Sequence, residues 1–190
     1  MDPTDLTKEM LENTANHLRT QYPNIFYVLA DAESLPFMDE SFDIVTCRIA
    51  PHHFPNPDDF IREVSRMLKP DGKFILIDNI APEDTKKGAF MNEVEKSRDV
   101  SHVRCLSMSE WQKLLQSNAL EEVQSRERKK KFIFPEWVKV TTKSQEQRDE
   151  VEKLLLNASE EIKEYFSIEI ADGKVQSHQI DEWMVLCKKE

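Results

Sequence analysis

Four groups of residues have types that suit the handling of a polar ligand, and three of them stand where apolar runs of this chain end. Asp5 opens DLTKEML. Asp31 follows NIFYVLA. Arg48, His52, His53 and Phe54 lie in RIAPHHF, directly after FDIVTC. Asp78 begins DNIAPED, after KFILI. A carboxylate presents two acceptor oxygens, enough to take both hydroxyls of a vicinal diol. Imidazole exchanges a proton near neutral pH, which suits it to removing one from a substrate. Each residue also has an ordinary reading. Asp5 can serve a helix start, Asp31 a turn, Arg48 a local ion pair, and the adjacent His52 and His53 a solvated loop between prolines. What joins the four groups is position. All lie at expected strand ends, and in an open α/β sheet ligands bind outside the carboxyl ends of the strands.

The elements that place them are legible in the hydrophobic pattern. Thr7 to Arg19 reads as a helix, with Leu11, Ala15 and Leu18 on one face, Thr7 as N-cap and Glu9 near the positive end. NIFYVLA (24–30) and FDIVTC (42–47) are continuous apolar runs, expected as strands buried on both faces. PNPDDFIREVSRML reads as a helix with Asn56 as cap, Pro57 in its first turn and an apolar stripe of Phe60, Val64, Met67 and Leu68. KFILIDN (73–79) is a third strand. Apolar strands alternating with an amphipathic helix point to a parallel α/β sheet with covered faces. The second half differs. Ser107 and Glu110 form a capping box before a helix bearing Trp111. A long strand runs from Leu120 to Phe134. Ser144 and Gln147 offer another box before a helix with Val151, Leu154 and Leu155. A hairpin is expected around Asp172-Gly173, and WMVLCKK is the last strand.

Composition narrows the function classes. With 39% hydrophobic and 33% charged residues, the 190-residue chain has the makeup of a single folded domain. A net charge of -10 disfavours wrapping nucleic acid. The basic run RERKKKF, 126–132, then reads as solvated or edge-protecting rather than as a phosphate track. The three cysteines are far apart and form no Cys-x-x-Cys pair, so neither a disulfide framework nor a metal site is expected, and a cytoplasmic location is. Apolar runs are too short for a membrane span. Only three glycines occur, Gly72, Gly88 and Gly173, so these residues hold no glycine-rich nucleotide loop.

The motifs DLTKEML, DAESLPFMDESFDIVTC and APHHFPNPDDFIREVSRMLKPDGKFILID resemble successive motifs of class I S-adenosylmethionine-dependent methyltransferases. The likeness is to the small-molecule enzymes of the ubiquinone and menaquinone biosynthesis type. CRIAPHHF, DNIAPED and RDVSHVRCLSMSEW are similar to an uncharacterised bacterial subgroup of that type. The resemblance runs from Asp5 to the C-terminus. It implies a Rossmann-like α/β sheet with a helical cover and a C-terminal antiparallel strand pair. Residues 1–84 would form the cofactor-binding part of one domain, and 85–190 the substrate side, with a helical insertion near 135–166. It implies S-adenosyl-L-methionine as cofactor and a small molecule as methyl acceptor. Asp5 would bind the ribose hydroxyls and Leu6 would pack on the adenine. Asp31 would accept from the adenine amino group, and the Ala32 amide would face a ring nitrogen. Arg48 would lie beside the methionine part. His52, His53 and Phe54 would lie near the donor methyl and the acceptor, with His53 as the candidate catalytic residue.

Members of that family carry a first strand and an Asp-x-Gly-x-Gly-x-Gly turn ahead of the residue matching Asp5. The 190 residues include neither, so the sheet is expected to be incomplete at its N-terminus and the chain to be an N-terminally truncated form. The alternative to an active methyltransferase is a catalytically incompetent remnant or interaction protein that retains the fold.

Overall fold

The structure, a computed structural model, describes residues 2–190. Strand β1 (Thr4–Asp5) leads into helix α1 (Lys8–Leu18), and β2 (Val28–Leu29) returns parallel to β1, with Thr4 opposite Val28 and Asp5 opposite Leu29. Strand β3 (Phe42–Arg48) ends in a single 3-10 turn, Pro51–His53. Helix α2 (Pro57–Met67) then passes directly into β4 (Leu68–Ile80), which lies parallel to β3 with Arg48 opposite Ile77. This β3–α2–β4 unit is the parallel crossover that the apolar runs and the amphipathic stripe anticipate.

After helices α3 (Thr85–Arg98) and α4 (Met108–Ser117) comes the long β5 (Leu120–Ile133). Three helices follow: α5 (Phe134–Trp137), α6 (Gln145–Leu156) and α7 (Glu160–Tyr165). A hairpin of β6 (Glu169–Ala171) and β7 (Lys174–Lys189) closes the chain. Asp172 and Gly173 both take positive φ, 51° and 71°, as a tight two-residue turn requires. Strand β7 inserts antiparallel between β4 and β5, giving the order β3-β4-β7-β5 with β6 on β7. The sheet is therefore mixed, because β7 arrives from a hairpin rather than over a crossover helix.

Two expectations are corrected. NIFYVLA forms only a two-residue strand, and Phe26 and Leu29 are exposed. Its ladder is as short as its partner, since β1 offers only Thr4 and Asp5 for pairing. Strand β3 is likewise not buried on both faces: Ile44 is 57% exposed. Among the described residues, β3 pairs with β4 alone. Two cap assignments also change. Thr7 and Asn56 stand at N-cap positions without side-chain cap bonds. Asp5 Oδ1 instead accepts from the Thr7 amide at 2.7 Å. The Ser107–Glu110 capping box forms as expected. Ser144 caps Gln147 as expected, but Gln147 reaches back to the Lys143 amide instead of completing the box.

The main core lies where α2 and α4 cover the sheet, with Ile61, Leu68, Phe74, Leu76, Trp111 and Trp183 almost fully buried. A second cluster, Phe134, Trp137, Val151 and Leu155, packs under α6, so Trp111, Phe134 and Trp137 are core residues. Most of the basic run on β5 is matched by acids: Arg128 and Lys130 pair with Glu182, Lys129 with Asp181 and Lys131 with Glu169.

His178 on β7 is 2% exposed and stacked on Phe132, its ring centroid 4.4 Å from that of Trp137. Neither ring nitrogen has a hydrogen-bond partner. Burial, with the charge of Arg98 adding, pushes its pKa down to about 4 from 6.5. The unfolded chain takes up a proton below 6.5 that the folded chain refuses, so this residue makes stability fall as pH drops from 6.5 toward 4. His178→Phe should raise stability at pH 7 by about 1 kcal/mol, because it removes two unpaired polar atoms. It should also flatten the acid loss; urea unfolding of both proteins at pH 7 and pH 5 checks this.

Candidate functional site

The carboxyl ends of the strands are tied to one another by carboxylates. Along β4, side chains alternate between faces, so Asp78 continues the buried row of Phe74 and Leu76. The strand runs on to Ile80, which places Asp78 within it, opposite Trp183, rather than in the loop beyond. Asp78 is 2% exposed, and a buried carboxylate needs donors. It finds them in the 3-10 turn after β3. His52 Nδ1 lies 2.8 Å from Asp78 Oδ1, the His52 amide donates to Oδ2 at 3.2 Å, and the Asn79 amide donates to Oδ1 at 2.9 Å. Burial alone would lower the pKa of His52. The hydrogen bond and charge of Asp78, with Glu95 adding, outweigh it and hold that pKa above its ordinary value. Burial first, and Asp78 second, push the Cys47 thiol up to about 12, so it is inert at neutral pH.

A second tie joins the loop after β2 to the same turn. Glu33 accepts from the Asn56 amide at 2.6 Å and from Asn56 Nδ2 at 2.9 Å. Further along that loop, Arg66 of α2 donates to the carbonyls of Leu35 and Phe37 and to Asp39 and Glu63, while Glu63 accepts from the Leu35 amide. The hydrogen bond from Arg66 holds the Glu63 carboxyl below its usual range. The Asp31 loop is thereby fixed to α2, and through Asn56 to the histidine turn. At the other end, the Ala30 amide donates to the Asp5 carbonyl at 3.1 Å, which brings Asp31 beside the end of β1.

A third histidine completes the cluster. The segment after α3 lies against the turn, with the Val103 and Arg104 amides donating to the His52 carbonyl at 2.9 and 3.1 Å. His102 is 1% exposed, its ring 5.6 Å from that of His52 and 6.5 Å from that of His53. Its Nε2 lies 3.0 Å from Asn92 Oδ1. Asn92 Nδ2 donates to the Gly88 and Cys105 carbonyls and Oδ1 accepts from the Cys105 amide, so Oδ1 is the acceptor and His102 carries its proton on Nε2. Burial, then the neighbouring His52 and His53, push the His102 pKa down to about 4. One buried ring of the cluster thus favours its charge and the other resists it.

The structure brings Asp31, Ala32, His52, His53 and Phe54 into one connected region. Asp5 Oδ1 is used by Thr7 and Asp31 Oδ1 by the Glu33 amide at 2.9 Å. Among the described residues, the second oxygen of each makes no hydrogen bond. Leu6 and Arg48 are exposed. Ala32 packs against the main core. Phe54 packs edge-on against Phe60 at 5.0 Å, so its ring helps anchor the turn. His52 is held inward by Asp78, and His53 alone of the three histidines is half-exposed at the site. Sequence reasoning gave Glu33, Asn92, Asp99, Ser101 and His102 no role. The polar letters of RDVSHVRC (98–105), separated from PHHF by α2, β4 and α3, were the signal for the last three. Among the described residues, no group of His, Cys, Asp and Glu is placed to hold a metal ion, and no helix is long and apolar enough to cross a membrane.

Residues 3–76 match the model of a family described as "Methyltransferase domain". The chain is 38% identical over 165 residues to the uncharacterized methyltransferase YcgJ of Bacillus subtilis, an alignment covering 86% of this chain and 65% of YcgJ. The crystal structure of YcgJ superposes with a TM-score of 0.90 at 35% identity, covering 100% of this chain and 82% of that one. A crystal structure from Bacillus halodurans C-125 superposes with a TM-score of 0.95 at 36% identity, covering 99% of this chain and 82% of that one. The ubiquinone/menaquinone biosynthesis C-methyltransferase of Rickettsia typhi is a more distant match, 35% identical over 77 residues and 40% of this chain.

The Asp78–His52 contact has a pH signature. A raised folded-state pKa on His52 stabilises the fold below the unfolded value of 6.5, and this contribution is lost as pH rises through the folded value. Asp78→Asn should move the His52 titration down and remove that alkaline loss. Histidine NMR titration and urea unfolding at pH 6 and pH 8 check it; a His52 titration that does not move would rule out the coupling.

Proposed function

Because the chain belongs to the class I S-adenosylmethionine-dependent methyltransferases, we propose that it transfers a methyl group from S-adenosyl-L-methionine to a small-molecule acceptor. The observation that carries this reading is the pair of half-used carboxylates at the ends of β1 and β2. Asp5 and Asp31 each spend one oxygen on a backbone amide, which fixes the side chain, and keep the other for a ligand. A ribose diol and an exocyclic amine are donors of the kind these oxygens lack. Leu6 is exposed beside Asp5 and offers an apolar surface for an adenine face. The Ala32 amide would be the matching donor to a ring nitrogen, and the exposed Arg48 would lie beside the methionine part of the cofactor.

S-adenosylmethionine supplies an electrophilic methyl on a sulfonium, so the chain's own task is alignment of an acceptor with that carbon. The histidine turn does this from the end of β3, held in place by Asp78 and Glu33. Residues 1–84 serve the cofactor and 85–190 the acceptor, with the helices near 135–166 as cover. The free thiols Cys47, Cys105 and Cys187 suit a reducing cytoplasm. The acceptor is a small molecule rather than nucleic acid, in keeping with the net charge of -10.

Asp5→Asn keeps an oxygen for the Thr7 amide but loses the second ionised acceptor. It should weaken S-adenosylhomocysteine binding about tenfold, or about 1.4 kcal/mol, with thermal stability nearly unchanged. Isothermal calorimetry reads this. Unchanged affinity would remove Asp5 from the contact, and no heat from the unsubstituted chain at millimolar ligand would sink the reading for this chain.

A further inference from the structure

We propose that Asp99 and Ser101 are positioning residues that hold His53 with its proton on Nδ1, so that Nε2 is a base for an acceptor bearing a proton on the atom to be methylated. The inference rests on the methyl-transfer reading above and adds to it the acceptor's chemical class.

The geometry decides the tautomer. Ser101 Oγ lies 2.6 Å from Asp99 Oδ1 and 3.1 Å from His53 Nδ1. A hydroxyl has one hydrogen, and an ionised carboxylate can only accept. The hydrogen of Ser101 therefore goes to Asp99, and its lone pair faces His53. For the contact with His53 to be a hydrogen bond, Nδ1 must donate. A neutral imidazole has one proton, so Nε2 is bare, and among the described residues nothing donates to it. Asp99 is ionised in this arrangement. Burial opposes its charge, but the hydroxyl and amide of Ser101 outweigh burial and hold its pKa below the usual value.

The relay is fixed at both ends. Asp99 follows α3, with its amide donating to the Glu95 carbonyl at 2.8 Å and its carbonyl accepting from the His102 amide at 3.0 Å. The Ser101 amide also donates to Asp99 Oδ1, at 2.9 Å. Lys96 Nζ donates to the Val100 and His102 carbonyls and closes the loop on α3. The next residues, Val103 and Arg104, bind the His52 carbonyl, immediately before His53. The charged and titratable groups that face the His53 ring are Asp99 through Ser101 from the α3 side, His102 from the loop and His52 from its own turn. His52 gives Nδ1 to Asp78 and His102 gives Nε2 to Asn92, and both are buried. His53 is the ring left with an open basic nitrogen.

A base is needed only where methylation must release a proton. Tertiary amines, thioethers and carboxylates have none to release. Phenols and enolisable carbonyl compounds do. As the acceptor oxygen or carbon bonds to the methyl carbon, that carbon's bond to sulfur breaks with the electron pair leaving on sulfur, and the acceptor's proton passes to His53 Nε2. The sulfonium becomes a neutral thioether, and the imidazole becomes an imidazolium that later loses its proton to water.

The test is the histidine tautomer in the full chain labelled with nitrogen-15, read by long-range proton–nitrogen NMR about two units above the ordinary histidine pKa. His53→Gln identifies the His53 signals. The unsubstituted protein should show His53 in the Nδ1–H form. Ser101→Ala should shift it toward Nε2–H, Ser101→Thr should restore it, and His102 should stay Nε2–H throughout, reporting an intact loop. His53 found as Nε2–H, or unmoved in Ser101→Ala, overturns the positioning role. On the same samples, release of S-adenosylhomocysteine with a panel of phenols and enolisable dicarbonyls should drop about tenfold in Ser101→Ala and further in His53→Gln. Equal rates overturn the base. Absence of S-adenosylhomocysteine binding by the unsubstituted protein would instead strike the methyl-transfer reading, while the tautomer result stands by itself.

Discussion

A carboxylate placed on the buried row of a β-strand forces the surrounding chain to supply donors. Asp78 is that carboxylate. Its row on β4 is otherwise Phe74, Leu76 and Ile80, and an ionised side chain there without partners would cost several kcal/mol. The donors come from the amide and ring of His52 and from the next residue of its own strand. The turn after β3 is therefore not a free loop. Satisfying Asp78 sets where His52 sits, and the chain direction then leaves His53 half-exposed beside it.

The rest of the site follows from that placement. With the turn fixed, its carbonyl at His52 can take the Val103 and Arg104 amides, so the segment after α3 is docked on it. With Asn56 fixed, Glu33 can bridge back to the Asp31 loop. Three segments far apart in sequence meet through carboxylates and amides, in addition to the packing of Ala32 and Phe54 on the core. Such bonds are directional, and leaving one buried partner unmade costs about 1–3 kcal/mol. Apolar contact alone would hold the segments together but would not set the orientation of a ring nitrogen. The electrostatic outcome is local as well. His52 beside Asp78 favours its proton, whereas His102, buried among other histidines and given a neutral amide as partner, resists one.

Much of the fold was legible because its signals are local. The β3–α2–β4 unit follows from two apolar runs around a helix with Pro57 in its first turn, Asp58 and Asp59 behind it and a clear stripe. The Ser107–Glu110 box and the Asp172-Gly173 hairpin needed only a few adjacent residues. What misled was burial. NIFYVLA reads as a strand covered on both faces, yet Phe26 and Leu29 face outward because a strand's ladder and cover belong to its partners, not to its own letters. The parallel pairing read for the first half stands in β3 and β4, and the antiparallel pair expected at the C-terminus stands in β5 and β7, which makes the whole sheet mixed.

The sequence by itself determined which residue types stand at or near the strand ends: Asp5, Asp31, the Arg48–Phe54 run and Asp78, the last of them still within β4. Their spacing follows the alternation of strand and loop, a local property, and their motifs carry the family. Tertiary structure alone decided how those residues divide the work. His52 and His53 are neighbours of one type in one motif, and nothing local separates them. Asp78, 26 residues on, takes the first inward. Ser101, 48 residues on, faces the second with a lone pair already directed by Asp99. A proton's position on an imidazole is set by whatever meets its other nitrogen, and here those partners come from different strands and loops that only the folded chain brings together.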